Sequence, residues 1–153
     1  MDKKEVNFFL FYGIIVLGGY FMYYTFRLKK GADLKKEITK YVKENNISGV
    51  ILSGVGSLDK LTIRLADGES TLEKEEQYEI VSLNGTLSTD GIHLHIAVSD
   101  NDGKTIGGHL KDGCIINTTA EICLLDIPNI KFSREYDEDT GYNELVIKNN
   151  GGN

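Results

Sequence analysis

Histidine occurs three times in the 153-residue chain, in His93-Leu94-His95 and in Gly107-Gly108-His109. Imidazole is the commonest metal-ligand side chain. Three protein ligands with a fourth position open is the plan of a catalytic zinc site. Such a site needs all three rings at one point, and the intervening residues offer a way to bring them there. Ile92 to Ser99 alternates, with Ile92, Leu94, Ile96 and Val98 on one face and His93, His95 and Ala97 on the other. A period of two is a strand, so His93 and His95 share a face. Asp100-Asn101-Asp102-Gly103 suits a type I turn closed by a left-handed glycine, which makes a three-residue hairpin loop. That loop pairs Asp100 with Lys104 and sets His95 directly opposite His109. Facing Cβ atoms lie about 4.5–5.5 Å apart, close enough for two imidazoles to share one ion. A two-residue loop would turn His109 to the other face, and a bulge at Gly107-Gly108 would spoil the count. The ordinary alternative for a His-x-His is a pair of surface histidines.

The elements around this hairpin predict one antiparallel α+β domain. Met22 to Leu28 reads as an aromatic-rich strand. Asp33 is an N-cap for a helix whose apolar face is Leu34, Ile38, Tyr41 and Val42, and Asn45-Asn46 stops it. Gly49 to Leu52 is a buried strand, and Leu61 to Ala66 is another. Between them, Ser53-Gly54-Val55-Gly56-Ser57-Leu58 has Asp59 where a dinucleotide-binding loop needs its third glycine. Those glycines therefore imply a bend or close packing. Asp67 to Gln77 is an acidic loop or edge. Strands follow at Tyr78 to Leu87, at Cys114 to Ile127 with a bend at Asn117-Thr118-Thr119, at Ile130 to Tyr136 and at Tyr142 to Ile147. Lys148 to Asn153 is a frayed tail. The division is then residues 1–21 as an apolar extension, 22–148 as the domain and 149–153 as a disordered tail.

Composition limits the function. Hydrophobic residues are 41% and charged residues 26%, ordinary for a globular protein. The net charge of −6 divides into +3 over residues 1–30 and −9 over residues 31–153. An acidic domain repels phosphate backbones, so direct nucleic-acid binding is disfavoured. Cys114 and Cys123 lie nine steps apart on one strand, about 30 Å, and so do not bridge. Without disulfides a reducing compartment, the cytoplasm, is the expectation. Phe8 to Phe26 is uncharged. It leaves three readings open: a membrane anchor, a signal peptide for export, or translated upstream sequence with Met22 as the natural start. The last is favoured, because the globular pattern begins at Met22.

Several motifs in order carry a resemblance. They are Leu52-Ser53-Gly54-Val55-Gly56-Ser57-Leu58, Tyr78-Glu79-Ile80-Val81-Ser82-Leu83-Asn84-Gly85-Thr86-Leu87, Gly91-Ile92-His93-Leu94-His95 and Gly107-Gly108-His109-Leu110. Phe132-Ser133-Arg134-Glu135-Tyr136-Asp137 and Thr140-Gly141-Tyr142-Asn143-Glu144-Leu145 follow. Together these resemble the prokaryotic branch of the plants-and-prokaryotes-conserved (PPC) domain, from about Tyr23 to Ile147. The resemblance implies a bacterial homotrimer of subunits built on a strongly curved antiparallel sheet, with a fold similar to acetolactate decarboxylase. It makes His93, His95 and His109 candidate zinc ligands, other divalent metals also accepting imidazole. It offers Glu79, Arg134 and Glu144 as catalytic candidates by motif membership. Each has an ordinary alternative as a surface or ion-pairing residue, and Tyr142 and Asn143 are read as turn and packing residues. Plant relatives contact DNA through an Arg-Gly-Arg-Pro hook, which this chain lacks, so the DNA-binding label of the family is not carried over. The expectation is an uncharacterised trimeric domain with a three-histidine metal site, acting as a small-molecule enzyme or sensor. The alternatives are a protein-interaction module and a DNA-associated regulator without catalysis.

Overall fold

A computed structural model describes residues 9–11, 15–16 and 19–149. The elements are β1 (Phe9–Phe11), β2 (Ile15–Val16), β3 (Gly19–Tyr20), β4 (Met22–Lys29), α1 (Leu34–Glu44), β5 (Gly49–Arg64), β6 (Thr71–Lys74), β7 (Tyr78–Leu87), β8 (His93–Ser99), β9 (Thr105–Leu110), β10 (Ile115–Asp126), β11 (Ile130–Asp137) and β12 (Tyr142–Asn149). This is the α+β architecture expected, a mostly antiparallel sheet with a single helix among the described residues. The main sheet runs β1-β4-β10-β5-β7-β8-β9, with β6 on the edge of β5. It curves far enough that β9 pairs back onto the end of β5, through Ile63↔Leu110 and Arg64↔His109. β11 and β12 form a separate two-stranded hairpin, and β2 and β3 a small one of their own.

The helix forms where its signals place it. Asp33 Oδ1 accepts the Lys36 backbone N–H at 3.1 Å, and its Oδ2 accepts the Gly113 N–H at 2.8 Å, tying the helix start to the turn before β10. Leu34, Ile38, Tyr41 and Val42 are its buried residues. Tyr41 stacks on Phe26 of β4 with ring centroids 4.2 Å apart. Beneath them lie Ile51, Leu58, Leu61, Ile63, Leu87, Leu110, Ile116 and Ile122 in one core cluster. Leu94, Ile96 and Val98 of β8 point into it and are nearly fully buried, so the alternate residues of that strand must face outward.

The structure differs from the sequence reading in two places. The segment read as a bend or close packing between two strands lies inside one 16-residue strand, β5. Close packing is what its glycines permit: a Cβ on Gly56, at φ +147°, would meet the Thr119 carbonyl oxygen at 2.2 Å. The acidic stretch after β5, read as a loop or an edge, contributes the edge strand β6, pairing Leu61↔Lys74 through Arg64↔Thr71. Lys148 and Asn149, read as tail, continue β12 opposite Lys131 and Ile130. Polar composition suggested a tail there because an exposed hairpin needs little apolar surface. The expected bend in β10 is present as a register break between Ile116 and Ala120. Both cysteines are free, Cys114 buried and Cys123 partly so. Of the stretch Phe8 to Phe26, which leaves three readings open, residues 8, 12–14 and 17–18 lie outside those described. Among the described residues no helix is long and apolar enough to cross a membrane.

Gly85 of β7 lies opposite Leu94, between the partners of the two β8 histidines. Its φ is +142°, and an added Cβ would sit 1.9 Å from the His93 carbonyl oxygen. Gly85→Ala is expected to cost roughly 1–3 kcal/mol of stability, read from urea denaturation, because backbone and not a flexible side chain must give way. A variant as stable as the wild type would contradict this packing.

Candidate metal centre

The hairpin register decides where the histidines go. Asp100 N–H donates to the Lys104 carbonyl at 3.0 Å, and Asp100 Oδ1 accepts the Lys104 N–H at 2.8 Å. Gly103 takes the left-handed conformation, φ +78°. The ladder then runs without a slip from Ser99↔Thr105 to His95↔His109. Gly107 and Gly108 stay in register, so no bulge intervenes.

All three imidazoles therefore converge on the outer face of the sheet. Ring centroids are 5.2 Å apart for His93–His95, 5.0 Å for His93–His109 and 5.6 Å for His95–His109. His93 Nε2 and His95 Nε2 are 3.2 Å apart, and one nitrogen from each ring lies within 4.8 Å of the others. Tetrahedral nitrogens about 2.0–2.1 Å from a zinc ion are about 3.3 Å from each other. Small ring rotations suffice to close the set on one cation. Two further observations fit a cation. His109 Nδ1 is buried with no hydrogen-bond partner among the described residues, an unfavourable state for an imidazole nitrogen. Burial, with the neighbouring His93 and Arg64, pushes the His109 imidazole down to about 4. Burial, then His95 and Arg134, also lowers His93. These two rings are thus neutral at pH 7, the protonation state a ligand needs.

The cluster opens onto a cleft of about 560 Å³ whose lining includes His93, His109, Arg64, Arg134, Tyr142 and Glu144. Two of the three catalytic candidates are therefore beside the histidines. Arg134 donates from Nη2 to Thr86 Oγ1, and Thr86 is the strand partner of His93. Glu144 projects from β12 into the same cleft. Glu79 is elsewhere: it pairs with Ser57 and Ser99. It stands five residues before Asn84, the partner of His95, or roughly 16 Å along the strand. Alternation told which face Glu79 shares but not how far along β7 the site lies.

Tyr142 and Asn143, read as turn and packing residues, line the cleft. Arg64 was not singled out at all. It sits opposite His109 because β5 closes onto β9, a pairing between distant segments with no local sequence signal. Its Nη1 donates to the Gly68 carbonyl at 3.2 Å and to Tyr142 Oη at 3.3 Å, and its guanidinium lies 5.3 Å from the Tyr142 ring centroid.

The lowered imidazoles fix the sign of a pH effect. Above the ordinary histidine value of about 6.5 both folded and unfolded chains hold neutral rings. Below it the unfolded chain takes up protons that folded His109 refuses until about pH 4. Metal-free protein is therefore expected to lose stability as pH falls from about 6.5 toward 4. The urea midpoint in chelator should drop less between pH 7.5 and 5.0 in His109→Gln than in the wild type. Equal drops would refute the assignment.

A model of the Plants and Prokaryotes Conserved (PCC) domain matches residues 17–128. The chain is 48% identical over 126 residues to the Bifunctional protein GlmU of Synechococcus sp. (strain JA-3-3Ab), which covers 82% of this chain and 20% of that protein. The chain thus spans about a fifth of the length of the curated relatives it matches. The structure of a hypothetical protein from Salmonella cholerae-suis superposes with a TM-score of 0.81 at 36% identity, covering 84% of this chain and 94% of that one. The metal-containing protein of Archaeoglobus fulgidus shares the fold, with a TM-score of 0.67 at 24% identity and coverage of 94% and 99%.

Proposed function

Because the chain belongs to the plants and prokaryotes conserved domain family, we propose that it holds a divalent cation, zinc foremost, on His93, His95 and His109 and acts through it on a small molecule in the adjoining cleft, as an enzyme or a sensor. The observation that carries this reading is the convergence of three imidazole nitrogens within 4.8 Å at the mouth of a cleft. A protein of the same fold is named as metal-containing. Imidazole ligands add no negative charge, so a cation held on these three residues would keep its own charge and would supply polarisation of a carbonyl or of a bound water.

The chain's own residues supply the rest. Glu144 is a cleft carboxylate placed near His93, where it can accept or return a proton. Arg134, fixed by Thr86, supplies positive charge beside His93. Glu79 has no part in this arrangement within a single chain.

Assembly as a homotrimer belongs to the same proposal. Leu52, Val55 and Val81 on the adjacent strands β5 and β7 are 50%, 49% and 55% exposed, apolar surface that a neighbouring subunit would cover. A net charge of −6 supports a small-molecule role over direct DNA binding. Two free cysteines suit a reducing compartment, and the cytoplasm is the location this reading assigns.

Elemental analysis of protein purified from zinc-supplemented cells is expected to give about one metal per chain. The triple His93→Ala, His95→Ala, His109→Ala variant should keep the wild-type circular dichroism and light-scattering mass while losing the metal. Wild-type protein that is folded, trimeric and metal-free after reconstitution would leave an interaction module as the better account.

A further inference from the structure

Arginine is scarce in this chain. Arg27, Arg64 and Arg134 are the three among 17 basic residues, and two of the three line the histidine cleft. Each is anchored beside a different ligand candidate, Arg64 opposite His109 in the β5–β9 ladder and Arg134 on the Thr86 partner of His93. Both side chains belong to partly buried residues. Yet every ion pair found among the described residues uses a lysine. Glu69, Asp90 and Glu144 share the cleft with the two arginines. Among the described residues, no carboxylate oxygen comes within the 4.0 Å of an ion pair with either guanidinium.

A chain with 23 acidic residues has no shortage of partners to offer. Glu144 is near enough to Arg134, and Asp67 to Arg64, to be felt electrostatically, but neither carboxylate makes ion-pair contact, so two half-sheltered guanidiniums keep a desolvation cost that a directly bound anion would recover. The three imidazoles add no negative charge, and a cation on them would add more positive charge. The Tyr142 ring and the Gly68 carbonyl hold one side of the Arg64 fork, leaving its other N–H groups to a ligand. A planar fork of this kind matches two oxygens of one oxyanion.

Resting on the metal-site reading above, we propose that the cleft takes a small organic oxyanion, a carboxylate or a phosphate ester, whose charged group is gripped by Arg64 and Arg134 while its adjoining atoms reach the histidine cluster. The cleft's volume of about 560 Å³ fits a compact molecule. The hairpin β11–β12 supplies Arg134 and Tyr142, so this half of the grip comes from an element outside the main sheet.

Calorimetric titration of the zinc-loaded full chain with malonate, with inorganic phosphate and with uncharged malonamide tests the proposal. One or both anions should bind at one per chain and malonamide should not, and the tighter anion tells carboxylate from phosphate. Arg64→Gln and Arg134→Gln should each weaken that anion by about tenfold or more, at unchanged metal content. Arg64→Lys and Arg134→Lys, which keep charge and lose the fork, should fall between, and they serve if either Gln variant fails to fold. Unweakened binding in the variants would show that the anion sits on the metal alone, and no anion binding to fully loaded protein would overturn the proposal outright. Should the wild type take up no metal, the metal reading fails by itself. The same titrations on metal-free protein then decide the arginine site, which survives only if an anion binds and the Gln variants lose it.

Discussion

The pairing of Asp100 with Lys104 is the constraint on which the site depends. A β-ladder has a side-chain period of two, so one residue more or less in this turn would send His109 to the opposite face from His95. The turn is specified three times over. The Asp100 carboxylate accepts two backbone N–H groups, from Asp102 and Lys104, and Gly103 takes the one conformation that closes the loop. The buried row Leu94, Ile96 and Val98 then penalises any slip, because a shift of one would expose it and bury the imidazoles. Local turn chemistry and core burial agree on one register, and the convergence of the three rings follows from it.

What surrounds the rings depends on a different kind of contact. β5 is long and curved enough to meet β7 near one end and β9 at the other, which sets Arg64 against His109. The opposite wall comes from β11 and β12, which pair only with each other. Contacts outside any ladder tie them to the body: the Phe132 backbone N–H on Ser48 Oγ, Arg134 on Thr86, and Tyr142 under Arg64. The histidine cluster thus belongs to the main sheet, while the mouth of the cleft is shared between the sheet and a hairpin docked on it.

This division explains how much was legible beforehand. The helix, its cap, its four buried residues and the histidine hairpin are determined within a dozen residues or so, where periodicity and turn chemistry act, and they read correctly. The family resemblance was legible for the same reason, since its motifs are short runs. Arg64 was not, because its place beside His109 is fixed by two segments more than forty residues apart in the sequence. Glu79 was misplaced because alternation gives a side chain's face and not its height on the strand. Tyr142 was underrated because a tyrosine beside a hairpin turn looks structural until the partner across the cleft is known. β5 was broken in two at its glycines, since a glycine that admits a neighbouring backbone and one that makes a turn have the same identity.

That β11–β12 joins the main sheet through no ladder among the described residues has a consequence for how such a protein can vary. No ladder hydrogen bond transmits a change in the hairpin to the strands carrying the imidazoles. Replacement of residues along it can reshape the entrance and its charge while the ring geometry stays fixed. The lining that the hairpin contributes can thereby drift apart from the rings, so two proteins with the same three histidines need not present the same cleft.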